Sequence, residues 1–313
     1  MRATPESHSA ERYTTNARLL RLATHASVAT AIILILAKLG AWLTTGSVSV
    51  LASLVDSVMD AGASLVNLLA VRWSLMPPDA EHRFGHGKAE SLAALGQATF
   101  IAGSAVFLGL QAVERLLSPR PIEATGVGLT VILFAILVTL ALLAFQHHVI
   151  RRTGSAAIRA DALHYATDLA TNTATVAALL LAAVGWSGFD PLFGLGIAAY
   201  ILHSAVRIAR DAVHSLMDRE LPEPQRREID ALARLVPEVR GVHGLRTFQS
   251  GRMLIIQLHL ALEDAMPLHA AHQVGLKVEA RIRGAFPESD ILIHFDPVSL
   301  GEEDSIPSRA QPV

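Results

Sequence analysis

The sequence predicts an α-helical membrane protein with six transmembrane helices, followed by a small cytoplasmic α+β domain in αββαβ order. Three observations predict it. Hydrophobic residues make up 51% of the 313 and charged residues 17%, with a mean hydropathy of +0.41, too apolar for an ordinary soluble domain. Apolar segments long enough to cross roughly 30 Å of hydrocarbon occur six times. From Leu221 the apolar spacing changes to that of short amphipathic helices and alternating strands.

The spans fall at about Thr24–Thr45, Val48–Leu75, Ser91–Leu117, Ala124–Phe145, Ala156–Val184 and Phe189–Ile208. Gly46 and Ser47 turn the first pair, Pro119 and Pro121 break between the third and fourth, and Gly185 to Pro191 turns the last pair. Lys38 is the one Lys or Arg deep inside a span, the others lying within about a turn of a span's end. Short-loop Arg and Lys set the orientation. One side receives Arg12, Arg18 and Arg21, then Arg72, Arg83 and Lys88, then Arg151, Arg152 and Arg159, then Arg207 and Arg210. The other has Arg115 and Arg120, balanced by Glu114 and Glu123, so both termini are expected in the cytoplasm. Met1 to Tyr13 is polar and charged, unlike a leader with an apolar core.

After the last span, Pro222-Glu223-Pro224 leads into a helical stretch, Gln225 to Leu235. Val242–Gln249 and Met253–Leu262 read as strands joined across Ser250-Gly251, a hairpin signal. Leu268–Phe286 is an amphipathic helix and Ile291–Phe295 a third strand. The expected domains are a cytoplasmic segment over 1–23, the six-span domain over 24–210, the α+β domain over 211–297 and a disordered tail over 298–313.

Function is sought in the polar residues that the membrane makes costly. Net charge is −2, which gives no argument for nucleic acid, and the absence of cysteine excludes disulfides and thiolate ligands. Any transition-metal chemistry must use the 14 histidines and the carboxylates. Asp56 and Asp60 lie four residues apart in the second span, on one helical face. A carboxylate at that depth must be paired, hydrated or bound to something. His164 and Asp168 repeat the spacing in the fifth span. If the two helices face each other at equal depth, three carboxylates and one imidazole converge into an O₃N set suited to tetrahedral Zn²⁺, with Fe²⁺, Co²⁺ and Cd²⁺ as alternatives. Crowded acids at low dielectric cannot stay ionised and empty, so metal and protons compete for them. A buried His–Asp hydrogen bond beside protonated acids is the plainer alternative.

Two further constellations lie outside the spans. Asp79, His82 and His86 occupy the short loop after the second span, with Gly85 and Gly87 letting the chain bend; a solvated polar loop is the alternative. The α+β domain carries His243, His259, His272, His294 and Asp296, of which His294 and Asp296 alternate on one strand face.

Taken together, these motifs resemble the cation diffusion facilitator family, in its bacterial zinc and ferrous-iron efflux branch. The resemblance rests on Ser47-Val-Ser-Val through Leu54-Val-Asp56-Ser-Val-Met-Asp60, His82-Arg-Phe-Gly-His86-Gly-Lys88-Ala-Glu90-Ser, and His164-Tyr-Ala-Thr-Asp168. It continues in Leu216-Met-Asp218-Arg-Glu-Leu-Pro222, Leu245-Arg-Thr-Phe-Gln-Ser-Gly251 and Ile293-His-Phe-Asp296-Pro, and covers about Ala17 to Ser299. It implies a homodimeric inner-membrane exporter with a metallochaperone-like cytoplasmic domain. Asp56, Asp60, His164 and Asp168 then form the transport site, and Asp79, His82 and His86 an interfacial loop site. His243, His259, His272, His294 and Asp296 form a binuclear site bridged by Asp296, and Lys88 and Asp218 a salt bridge that holds the dimer. Glu81, between Asp79 and His82, departs from the pattern as a possible extra loop ligand.

The expected function is a proton-coupled antiporter that exports a divalent transition metal, Zn²⁺ foremost, by alternating access. An intramembrane metal-dependent hydrolase is the rival, but four protein ligands would leave a tetrahedral zinc no position for water, and no His-Glu-x-x-His sequence occurs. A membrane-anchored metal sensor is the second rival.

Overall fold

The computed structural model describes residues 5–117, 126–183 and 190–300. Six long helices come first: α1 (Pro5–Thr45), α2 (Val48–Ser74), α3 (Lys88–Leu117), α4 (Gly126–Thr153), α5 (Ala156–Ala183) and α6 (Asp190–Leu216). The shortest have 27 residues, about 40 Å at 1.5 Å per residue, enough to cross a bilayer. Five contain segments apolar enough to do so: Thr15–Thr45, Val50–Ser74, Lys88–Leu117, Gly126–Thr153 and Pro191–Leu216. α5 is as long but less apolar, because it carries Arg159, Asp161, His164 and Asp168. Its threonines are accommodated by donating back along the helix, Thr167 to the Leu163 carbonyl, Thr171 to Thr167 and Thr175 to Thr171, each at 2.9 Å. α1 begins well before the expected Thr24, since nothing between Pro5 and the membrane breaks a helix.

The chain divides into two compact units, one formed by Thr15–Met76 and Lys88–Val213, the other by Met1–Thr14, Pro77–Gly87 and His214–Val313. In the membrane unit, small residues let helices approach closely. Ala94 and Ala98 of α3, Ala160 of α5 and Ala212 of α6 form one such cluster, and Ala105 of α3 with Ala205 of α6 belong to another. Glu90, at the start of α3, accepts from Ser155 at 2.6 Å and from Ser74 at 3.3 Å, tying the ends of α2, α3 and α5 together.

The second unit contains α7 (Glu223–Arg234), β1 (Gly241–Ser250), β2 (Met253–Leu262), α8 (Leu268–Ala285) and β3 (Ser289–Pro297), the expected αββαβ order. β1 and β2 form an antiparallel hairpin, and β3 returns beside β2 in parallel after the α8 crossover. Ile256, Leu258, Leu260 and Leu262 alternate along β2 into a core with Ile229 and Ala233 of α7 and Val274, Val278 and Ile282 of α8. His259 lies on the opposite parity, away from that core. The chain enters this domain pinned to β1: Leu221 N–H donates to the Thr247 hydroxyl at 3.1 Å, which donates to Glu220 at 2.8 Å.

The tail expected from 298 instead opens with a 3₁₀ turn, Val298–Leu300, because the Ser299 N–H donates to Asp264 at 3.0 Å. The rest of that tail, the breaks at Pro119 and Pro121, and the turn from Gly185 to Phe189 lie outside the described residues.

Candidate functional site

α2 and α5 pack against each other and bring Asp60, His164 and Asp168 together, with one ligand atom from each within 4.8 Å of the others. His164 Nε2 is 3.0 Å from Asp60 Oδ1 and 4.0 Å from Asp168 Oδ2. This nitrogen is buried and faces both carboxylates. Donors around a tetrahedral ion with bonds of about 2.1 Å sit roughly 3.4 Å apart, between the two observed separations. A buried imidazole beside two carboxylates suits a cation.

Asp161, one turn before His164, was not singled out as functional by spacing, yet it is fully buried. It accepts from Ser27 of α1 at 2.5 Å, Gln146 of α4 at 2.7 Å and Gln97 of α3 at 3.2 Å. Next to His164, Tyr165 donates to the Ser27 carbonyl at 2.9 Å and meets Ser64 of α2 at 3.0 Å. This network fixes the rotation of α5, and with it the direction of His164. The available signal is a buried polar side chain on each of three apolar helices: Ser27, Gln97 and Gln146.

In the loop, Asp79 reaches both histidines, Oδ1 to His82 Nδ1 at 3.3 Å and Oδ2 to His86 Nε2 at 3.2 Å. Asp79 Oδ1 also accepts the backbone N–H groups of His82 at 2.6 Å and Glu81 at 2.9 Å, a turn that presents Oδ2 to His86. The His82 N–H above all, then that of Glu81 and the nearby imidazoles, holds the Asp79 carboxyl below the ordinary carboxylate range despite some desolvation. Gly85 at φ 77° lets the chain double back. Glu81 is not in the cluster.

The third group is built by sheet register. His243 pairs with His259 across β1–β2, and His259 with His294 across β2–β3, so one row carries three imidazoles. Asp296 Oδ2 is 3.0 Å from His243 Nε2 and 2.8 Å from His259 Nδ1, while Oδ1 is 3.0 Å from His294 Nε2. One carboxylate thus faces imidazoles with both oxygens, the geometry of a bridging ligand. Burial works against its charge, but hydrogen bonds from His259 and His243 and the nearby His294 outweigh that and hold its carboxyl below the ordinary range.

Comparison with known proteins settles the family. Residues 24–217 match the cation efflux transmembrane domain and residues 221–298 the cation efflux protein cytoplasmic domain. The cation-efflux pump FieF of Klebsiella pneumoniae is 52% identical over 283 residues, 90% of this chain and 94% of the relative. Those of Escherichia fergusonii and Escherichia coli are similar to the same extent. The chain belongs to the cation diffusion facilitator family. As a cation diffusion facilitator it is a transporter, and the hydrolase reading falls away.

Against the ligands that the resemblance to cation diffusion facilitators implies, two residues stand apart. Asp56 is outside the membrane cluster: four residues displace it about 6 Å along α2 from Asp60. His272 is exposed on α8 and outside the sheet cluster. Lys88 and Asp218 belong to different compact units. Asp218 adopts φ 55°, the left-handed residue that ends α6.

Proposed function

We propose that this cation diffusion facilitator exchanges a divalent transition metal, Zn²⁺ first and Fe²⁺, Cd²⁺ or Co²⁺ as alternatives, for protons, moving the metal out of the cytoplasm by alternating access. The observation that carries the reading is the buried His164 Nε2, 3.0 Å from Asp60 and 4.0 Å from Asp168. An imidazole and two carboxylates that accept a metal also accept protons, so loading with one expels the other. Asp56 completes the set if α2 moves along α5 during the cycle.

The Asp79, His82 and His86 loop and the His243, His259, His294 and Asp296 row serve as cytoplasmic metal sites that sense or stabilise. His272, exposed on α8, is the ligand that a second copy of the chain contributes, and Lys88 with Asp218 steadies the resulting homodimer. The protein then resides in the inner membrane with both termini in the cytoplasm, as the loop charges require.

Reconstituted in liposomes, the protein should move Zn²⁺ only against an opposing proton gradient, and Asp168→Ala should abolish the flux. Normal flux from Asp168→Ala, or flux indifferent to the gradient, overturns the reading.

A further inference from the structure

Lys38 is the basic residue in the middle of a span, and no part of the cation-binding chemistry above uses it. Its ammonium reaches from α1 to α2, donating to Ser57 Oγ at 2.6 Å and to the Ser53 carbonyl at 3.1 Å. Both acceptors are neutral, and a neutral amide would satisfy them as well. Holding a full charge at this depth is costly and needs a reason beyond two hydrogen bonds. The charges that act on it supply one. They are Asp56 and Asp60 of α2 and Asp168 of α5, the three acids assigned to transport. Ser57 is itself buried, one residue from Asp56, so Lys38 is anchored beside those acids without coordinating anything itself.

We propose that Lys38 is a tethered cation of the transport site, whose charge weakens metal binding so that the metal can be released. The balance of charge supports this. Three negative acids are offset by the two positive charges of a divalent metal and the one of Lys38, so the loaded site is neutral while His164 is neutral. Without the ammonium the loaded site keeps an excess negative charge, which the metal can leave only at greater cost. When the site is empty, the same ammonium remains to offset part of the acids' repulsion. A lysine suits this task because its charge is compact and its stem flexible. The inference rests on the reading of Asp56, Asp60, His164 and Asp168 as the transport site.

The test is Cd²⁺ titration of the purified full-length protein in detergent, in a background carrying Asp79→Ala and Asp296→Ala so that the membrane site alone reports. Asp168→Ala in that background should lose binding, and if it does not, the transport-site reading itself fails. Lys38→Met should bind Cd²⁺ about tenfold more tightly at fixed pH, and its turnover in liposomes should fall in step. Lys38→Gln keeps a donor to Ser57 without the charge and should match it, carrying the test if the methionine variant does not fold. Lys38→Arg should restore affinity towards that of the parent. A purely structural lysine predicts the opposite sign, weaker binding on its removal. Binding that is unchanged or weaker in the neutral variants, with Asp168→Ala behaving as expected, overturns the proposal for Lys38 alone.

Discussion

His259 on β2 and His294 on β3 are register partners in the parallel pairing of the sheet, with ring centroids 4.7 Å apart. His243 extends the row on the other side of His259, at 5.3 Å. Adjacent imidazoles gain little from each other, and each needs an acceptor. Asp296, two residues beyond His294, provides one for all three. The row therefore reads as a site prepared for cations, and its geometry depends on how closely β1 can approach β2.

That approach is set by Gly244, at a bulge where β1 shifts register between His243 and Arg246. Its φ is 59°, and a Cβ there would lie 2.8 Å from His259 Cδ2. Gly244→Ala should therefore both strain the backbone, by about 1 kcal/mol, and push the His259 ring off Asp296. Calorimetric titration of the full-length variant should show fewer Zn²⁺ ions bound than the parent, while the membrane site continues to load. An unchanged stoichiometry would show that His259 tolerates the displacement.

The loop site depends on an equally tight contact. A Cβ on Gly87 would lie 2.6 Å from Gly251 Cα and from the Ser250 carbonyl oxygen, so the loop's end and the hairpin turn meet backbone to backbone. Ser250 Oγ also donates to the Phe84 carbonyl at 3.4 Å, and the rings of Phe84 and Phe248 meet edge-on at 6.3 Å. Gly87→Ala should lift the loop from the hairpin. Hydrogen exchange should quicken across residues 84–87 and 250–252, and metal affinity at Asp79, His82 and His86 should fall. Protection equal to the parent's would mean that the contact is dispensable.

A pH dependence follows for the turn that closes the α+β domain. Hydrogen bonds from the Ser299 hydroxyl and backbone hold the Asp264 carboxyl below the ordinary carboxylate range. A carboxyl depressed by folding contributes stability above its unfolded value, about 3.9, and loses it as pH falls through the lower folded value. Metal-free protein should thus keep Ser299 protected from hydrogen exchange at pH 5 and release it in stronger acid, below about pH 3.9. Asp264→Ala should release it at every pH. Protection in the variant would assign the turn to some other contact.

The sequence made the spans and the sheet legible for different reasons. Apolar length marks all six helices, and α5 is the weakest of them, because Arg159, Asp161, His164 and Asp168 make it a poor apolar segment. The His164–Asp168 spacing pointed to Asp60, which does lie beside them, since both pairs obey the same helical repeat. It also placed Asp56 in the set, because spacing fixes the face of a helix but not its depth against a neighbour. In the sheet, alternation put His259, His294 and Asp296 on a common face. The parallel return of β3, which aligns the histidines in one row, depends on the α8 crossover and is not written in any local pattern. Asp161 was hidden because its partners come from three other helices.

Those partners make Asp161 the sharpest test of how the site is held. Ser27, Gln97 and Gln146 all reach its carboxyl oxygens, so two acceptor oxygens are required at the centre. Asp161→Asn keeps the volume but turns an N–H₂ group toward donors, leaving at least one buried donor without an acceptor, at a cost of about 1–3 kcal/mol. Asp161 is not among the clustered ligand atoms, so metal should still bind at Asp60, His164 and Asp168. The rotation of α5 should be less well fixed, and binding without orientation predicts a particular split. Cd²⁺ affinity of the membrane site should change by less than about threefold, roughly 0.6 kcal/mol, while Zn²⁺ turnover in liposomes drops tenfold or more and thermal stability in detergent falls. If affinity collapsed together with turnover, Asp161 would have to be counted as part of the binding set. If neither changed, the network would be packing alone.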